Sequence, residues 1–509
     1  VRIRSGAADG GEFGLRGEKQ AAVRRVPLWL LLCAALLPLA CAGGHKHNKT
    51  AATPTPGNPT LPVVTGPPLP PVRGPLLTPP PIPAGGTPRP PATPSGFPAL
   101  GETTPESPRG PAATPPNVDN GPLTIGLLAP LSGGNAAAGK ELSQGFQLYL
   151  SQHNGRLGGF AITLATADTA SDPATARAKL RTLAEKDKAA AIAGVASDAV
   201  AAALRDDLDG RRLPAVIAGA GLDDLTQRDK SNWIFRVSAS NSQATQPLGA
   251  YACKMLGLKR TALIAEDDSF GWEAAGGFAH TFTDCGGTIA QEQYVPGGTS
   301  NWAPFVQKLK QGGADAVFAA VQGDAAPRFL KAYRDAGMTL PLLGAGELVD
   351  EPLLAREGDT ANGVISAAAF SAALADPATQ AFVRAYAAAY GGAPAGVGAA
   401  NGYLAAEALD VALLAAGTQA AVNPAALRDA LRGVKLASTP GGGAFAFDDD
   451  QQGVFDLSVR QTQQLPGGKP GNLLRDADTF AGVSQFWTYP PAAFLAGKRY
   501  RERKGAWAR

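Results

Sequence analysis

Few residues in this chain have the types and spacing that chemistry requires. The segment GNAAAGK at 134–140 matches the first part of a phosphate-binding loop, between an apolar run and a helical stretch. The next residue is Glu141. A carboxylate therefore stands where the loop needs a Ser or Thr hydroxyl for magnesium, which argues against nucleotide hydrolysis. His45 and His47 lie in a proline-rich tract, and His153 and His280 are isolated, so no histidine pair has metal-ligand spacing. Asp267-Asp268 and Asp448-Asp449-Asp450 are runs without a nearby nucleophile or base, as solvated turns are, and no Ser elbow or Cys-His signature is present. The expectation is a binding protein, not an enzyme, with no cofactor and no metal.

The four cysteines are informative in a different way. Val26 to Ala40, VPLWLLLCAALLPLA, is a 15-residue apolar run after Arg24-Arg25. That is short for a membrane span and fits the core of an export signal. It ends in LACAGG, similar to the bacterial lipobox, with Pro38 where Leu is usual; Cys41 is then the residue that takes lipid. Residues 1–41 are assigned to the signal, Cys33 leaves with it, and the mature protein sits on the extracytoplasmic face of a membrane. Cys253 and Cys285 remain as an even pair in an oxidising compartment. A disulfide is the simpler reading, and two buried free thiols the alternative.

Of 43 prolines, 23 lie between Thr50 and Gly121, which marks residues 42–120 as a segment unable to bury a core. Extended polyproline II is the expected state and a tether the expected role, with proline-motif docking as the alternative. The net charge of +3 is too small to argue for nucleic acid as a partner.

From Pro122 the pattern becomes strand, loop, helix, repeated. LTIGLLA is a buried parallel strand by its unbroken apolar character; Leu142, Phe146 and Tyr149 then form a helical stripe. FAITLATAD, DPATARAKLRTLAE, AAAIAG, LPAVIAG, RTALIAE and ADAVFAA continue the alternation. Such alternation means α/β architecture with helices on both faces of parallel sheets, too many units for one sheet, and ligand loops beyond the carboxyl ends of the strands.

The order of these segments resembles the type I periplasmic binding proteins, in particular the leucine/isoleucine/valine (branched-chain amino-acid) binding family. LLAPLSGGNAAAGKELSQGFQLYLSQHNGRLGG, EDDSFGWEAAGGF, PGGTSNWAPFVQKLKQGGADAVFAA and GGGAFAFDDDQQG carry the likeness. The resemblance implies two Rossmann-like lobes joined by crossover strands within 121–490. Lobe I would comprise about 121–240 and 365–444, lobe II about 241–364 and 445–490, with 491–509 left as a basic tail. It also implies a small organic solute, amino-acid-like or an aromatic acid or amide, bound in the cleft with hinge closure, and an ABC permease as partner alongside the lipid anchor.

Carried over residue by residue, the resemblance places Ser132 and Gly133 in the first ligand loop, Ala196 and Ser197 in the second, and Ala220 and Gly221 in the third. Gly221 lacks a hydroxyl that the family often has there. In the second lobe it implies Phe270, where Tyr is common, Gln322, and Glu347 as partner for an ammonium. Each has a plainer role open: Phe270 as core filling, Ser197 as a helix cap, Glu347 as a solvated loop charge. A second functional reading stays open as well, an envelope lipoprotein that uses the same fold to activate a cell-wall synthase.

Overall fold

The computed structural model describes residues 118–508, apart from the side chains of 476–478. The signal, Cys41 and nearly all of the 42–120 tether lie outside the described residues.

Helix starts are written locally in several places. Asp172, Asp268 and Asp376 each accept a backbone N–H three residues on (Thr175, Gly271 and Thr379, at 2.7, 2.9 and 2.9 Å), and Pro173 and Pro377 occupy first-turn positions. A cap of this kind contributes about 1 kcal/mol.

The first lobe is built from β1 (Pro122–Ala129), α1 (Ala136–Gln152), β2 (Arg156–Leu157), β3 (Phe160–Asp168), α2 (Pro173–Glu185), β4 (Ala191–Gly194), α3 (Asp198–Arg211), β5 (Ala215–Ile217) and β6 (Ile234–Arg236). Its sheet runs β2-β3-β1-β4-β5-β6, parallel except for the β2–β3 hairpin. The chain then crosses into α4 (Gln246–Lys254), β7 (Arg260–Glu266), α5 (Ser269–Asp284), β8 (Thr288–Val295), α6 (Ala303–Leu309), β9 (Ala316–Ala320), α7 (Ala325–Asp335), β10 (Leu342–Ala345), α8 (Leu354–Glu357) and β11 (Ile365–Ala368). It returns to lobe I with α9 (Pro377–Ala389), α10 (Val397–Ala416) and α11 (Pro424–Arg432). β12 (Lys435–Leu436), β13 (Phe445–Phe447), β14 (Gly453–Gln464), β15 (Pro470–Val483) and α12 (Pro491–Ala496) complete the chain.

The second sheet runs β12-β13-β14-β11-β10-β9-β7-β8, with β15 also on β14. Strands β8, β7, β9, β10 and β11 are parallel, and β14 is antiparallel to its neighbours. The central strands β1, β4, β5, β9 and β10 are buried on both faces and are accordingly almost wholly apolar. In lobe I, α1, α10 and α11 cover one face through Phe146, Leu409 and Leu427, and α2 and α3 the other through Leu180 and Leu204. In lobe II, Leu248 and Phe278 cover one face, and Leu309, Phe329 and Leu354 the other. Helices α1 and α10 touch backbone to backbone: a Cβ on Gly145 would lie 1.9 Å from the Ala399 carbonyl oxygen, and one on Gly402 2.0 Å from that of Leu142.

The lobes are therefore two, as the alternation of segments predicts, but their limits shift. Ile365–Ala368 hydrogen-bonds to β10 and β14 within the second sheet, so the return to lobe I comes after β11. Phe445, Phe455 and Leu457 fill the core of lobe I and Val459 that of lobe II, so the chain crosses along β14; β15 carries it back to lobe I at Val483, and the C-terminal stretch crosses once more to lobe II. The basic C-terminal stretch is no free tail: Tyr500 and Trp507 are buried in the lobe II core, and Gly276 leaves room for the Tyr500 ring, 2.5 Å from where its Cβ would be.

A buried polar network fixes the crossovers. Arg236, fully buried, donates to the Leu222 carbonyl and the Thr226 hydroxyl, both at 2.6 Å, and to the Gln452 side chain. Gln452 donates to Ser238 O (2.8 Å) and Gln243 Oε1 (2.9 Å), and Gln243 donates to the carbonyls of Gly453 and Val483. Satisfied in this way, the network avoids the desolvation penalty of a buried guanidinium and sets how the crossovers leave lobe I.

Candidate functional site

The loops at the carboxyl ends of both sheets face each other across the cleft. On the lobe I side, Asp198 opens α3. Its Oδ1 accepts the N–H of Gly221 (2.8 Å) and of Leu222 (3.1 Å); its Oδ2 accepts Asn241 Nδ2 (2.9 Å) and Ser269 Oγ (2.8 Å). Ser269 begins α5, so the last bond joins the lobes. Glu273, one turn later, accepts from Asp223 N (2.9 Å) and Asn241 Nδ2 (2.8 Å). Burial, and the nearby charges of Asp223 and Asp198, push its carboxyl well above the usual range.

A second bridge lies near the start of α10. The Val397 N–H donates to Asp350 at 3.2 Å, and Gly396 lies where a Cβ would meet Asp350 Oδ2 at 2.6 Å and Glu141 Oε2 at 2.8 Å. Glu141 belongs to lobe I and Asp350 to lobe II. Burial first, and then the Glu351 charge, raise Glu141 to about 8; Asp350 is raised by burial and by both neighbouring carboxylates. Behind them Arg460, with no exposed surface, holds Glu351 at 3.0 Å and donates to the carbonyls of Phe370 and Gly346.

Glu347 lies in the short turn after β10. Its Oε2 is enclosed and has no hydrogen-bond partner. Burial raises its carboxyl; its own backbone N–H and then the Arg460 charge oppose the rise, and the Asp198 charge adds to it. Glu347 is accordingly not a solvated loop charge.

The other expected residues divide. Ser132 is exposed, and its amide (3.2 Å) and hydroxyl (2.6 Å) both donate to Asp168, as do the amides of Leu131 and Ala170. These bonds, the Ser132 hydroxyl foremost, hold Asp168 at about 2. Gly133 has φ +79°, and a Cβ there would lie 2.6 Å from the Ala170 carbonyl. Ala196 and Ser197 lead into α3; Ser197 stands at the N-cap position but makes no side-chain cap bond. Ala220 is buried. The space beside Gly221 is taken by Asn241, whose Oδ1 lies 2.0 Å from a Cβ built there, so the missing hydroxyl leaves no gap. The Gln322 backbone N–H donates to Glu266 Oε2 at 3.1 Å. Phe270 is 6% exposed within the lobe II core, where core filling describes it.

Asp198, Asn241 and Ser269 do not emerge from sequence reasoning. An acid on the first turn of a helix reads as favourable to the helix dipole and gives no other signal. Cys253 and Cys285 are joined, with Cα atoms 6.2 Å apart. Among the described residues no group of three or more His, Cys, Asp or Glu could hold a metal ion. A cavity of about 220 Å³ bordered by Asp224, Arg228, His280, Tyr489, Phe494 and Arg499 contains none of the expected ligand residues, and Arg228 and Arg499 are both paired with Asp224.

Two α/β lobes joined by several crossover segments, with strand-end loops hydrogen-bonded from one lobe to the other, make up the described residues. The family model described as periplasmic binding protein matches residues 122–469, and the chain belongs to that family, whose members are extracytoplasmic binding components of transport systems, not enzymes. Its relatives include proteins named for binding leucine, isoleucine and valine. It is 28% identical over 266 residues to Leu/Ile/Val-binding protein homolog 6 of Brucella suis, covering 51% of this chain and 67% of that protein. Among solved structures, an ABC transporter substrate-binding protein from Sphaerobacter thermophilus shares 32% identity with a TM-score of 0.69, over 72% of this chain and 100% of that one. A solute-binding protein of an ABC transporter from Rhodopseudomonas palustris BisB5, in complex with 3,4-dihydroxybenzoic acid, shares 28% with a TM-score of 0.67, over 72% and 99%.

Proposed function

We propose that this chain is the lipid-anchored receptor of an ABC importer, taking an amino acid or related small organic solute into the cleft and delivering it to a permease by hinge closure. The observation that carries the reading is Glu347 Oε2, enclosed without a partner. A buried acceptor left unpaired costs about 1–3 kcal/mol, which a solute donor removes on binding. The bridge from Asp198 to Ser269 gives closure a defined geometry, and solute contacts with both lobes shift the population toward it. A relative named as an amino acid binding protein and a solved neighbour in complex with 3,4-dihydroxybenzoic acid support a solute of this size.

Cys41 is the anchor in this reading, and residues 42–120 are the tether that lets the lobes reach the permease. Two experiments test it. A thermal-shift screen of amino acids, aromatic acids and amides finds a stabilising solute, whereas no shift with any of them defeats the receptor reading. Radiolabelled palmitate enters the wild-type protein and not Cys41→Ser; equal labelling removes the anchor.

A further inference from the structure

We infer that Asp198 occupies the cleft's carboxylate position with its own side chain, so that the solute is recognised through N–H donors, as an amine or amide, and not through a carboxylate. The inference rests on the receptor reading above and specifies its solute. Two consecutive backbone amides, a side-chain amide and a hydroxyl converge on Asp198, two donors to each oxygen. That satisfies all the acceptor sites of a carboxylate, and it is the array a free carboxylate needs in order to leave water.

The other donor cluster in lobe I is equally engaged. At the first loop the amides of Leu131, Ser132 and Ala170 and the Ser132 hydroxyl all point to Asp168. Across the cleft, Arg460 is spent on Glu351 and on two carbonyls. An arriving carboxylate would find the donors at Asp198, Asp168 and Arg460 occupied and would face the Asp198 carboxylate. An N–H group meets the opposite situation, because Glu347 Oε2 lacks a donor.

Closure follows the same logic. In a receptor whose solute supplies the carboxylate, the solute itself bridges the two lobes. Here the protein's own carboxylate links α3 to Ser269, and the solute completes the closed state at Glu347.

Matched pairs test this on the folded protein: leucinamide against leucine, and benzamide against benzoate, titrated by calorimetry. In the wild type, at least one amide binds more tightly than its acid by about tenfold or more, the ratio expected of one charge-assisted hydrogen bond. In Asp198→Ala the freed donors accept a carboxylate, and the acid gains about tenfold or more. Asp198→Asn, close in shape, serves as a second variant should Asp198→Ala not fold. Wild-type binding of the acid as tight as or tighter than that of its amide overturns the inference and leaves the receptor reading standing. If none of the four compounds binds the wild type or either Asp198 variant, both readings fall.

Discussion

Ser269 Oγ, on the first turn of α5 in lobe II, donates a 2.8 Å hydrogen bond to Asp198 Oδ2, on the first turn of α3 in lobe I. Hydrogen bonds to a charged group contribute about 1.5–3 kcal/mol, enough to bias a hinge equilibrium by an order of magnitude. Ser269→Ala therefore shifts the solute-free protein toward the open form. Small-angle scattering detects this as a larger radius of gyration than that of the wild type; identical profiles would mean that the bond does not hold the lobes.

Arg460 is the second point at which a single change has a large effect. It is fully buried, and its Nη1 lies 3.1 and 3.0 Å from the two oxygens of Glu351. Arg460→Met leaves that carboxylate enclosed without its cation, which costs about 3–5 kcal/mol. Chemical denaturation of the two proteins measures the loss, and the double variant with Glu351→Gln recovers part of it.

The carboxylates at the second bridge give the fold a pH dependence. Glu141 faces Asp350 and Glu351, with Arg460 behind them and Tyr386 nearby. A carboxyl that ionises near 8 in the folded chain, against a reference of 4.5, binds more protons folded than unfolded between those values. Its contribution is complete below the reference value and is lost as pH rises through the folded value. Melting temperature is therefore expected to fall between pH 5 and 8, and Glu141→Gln to make the fall shallower, with a gain on the order of a few degrees at pH 8. A variant profile parallel to that of the wild type would contradict the assignment.

The Cys253–Cys285 bond spans 32 residues in sequence. Closing a loop of that length contributes about 3–4 kcal/mol by restricting the unfolded chain. Cys253→Ser with Cys285→Ser lowers the denaturation midpoint accordingly, and a thiol assay on the denatured, unreduced mature protein finds neither cysteine free.

Much of the fold was legible because strands such as LTIGLLA and RTALIAE are unbroken apolar runs set between capped amphipathic helices. The lobe limits were less so. ISAA at 365–368 and FAF at 445–447 are short apolar strands whose sheet depends on pairing, not on composition. The C-terminal KRYRERKGAWAR reads as a charged tail because its two anchors, Tyr500 and Trp507, are separated by basic residues and lack helical or strand periodicity. At the site, strand ends gave the positions of the loops, while the choice of Ser132, Ser197, Gly221, Gln322 and Glu347 within them came from the family resemblance. The bonds among Asp198, Asn241 and Ser269 join residues 43 and 71 positions apart and arise only when the two lobes meet. No local pattern encodes them.

Glu347 is the proposed partner of the solute, and calorimetric titration of the best solute against wild type and Glu347→Ala tests that role most directly. The prediction is one solute per chain for the wild type, and affinity weaker by about tenfold or more for a variant that keeps its melting temperature. Equal affinity in the two proteins would contradict it.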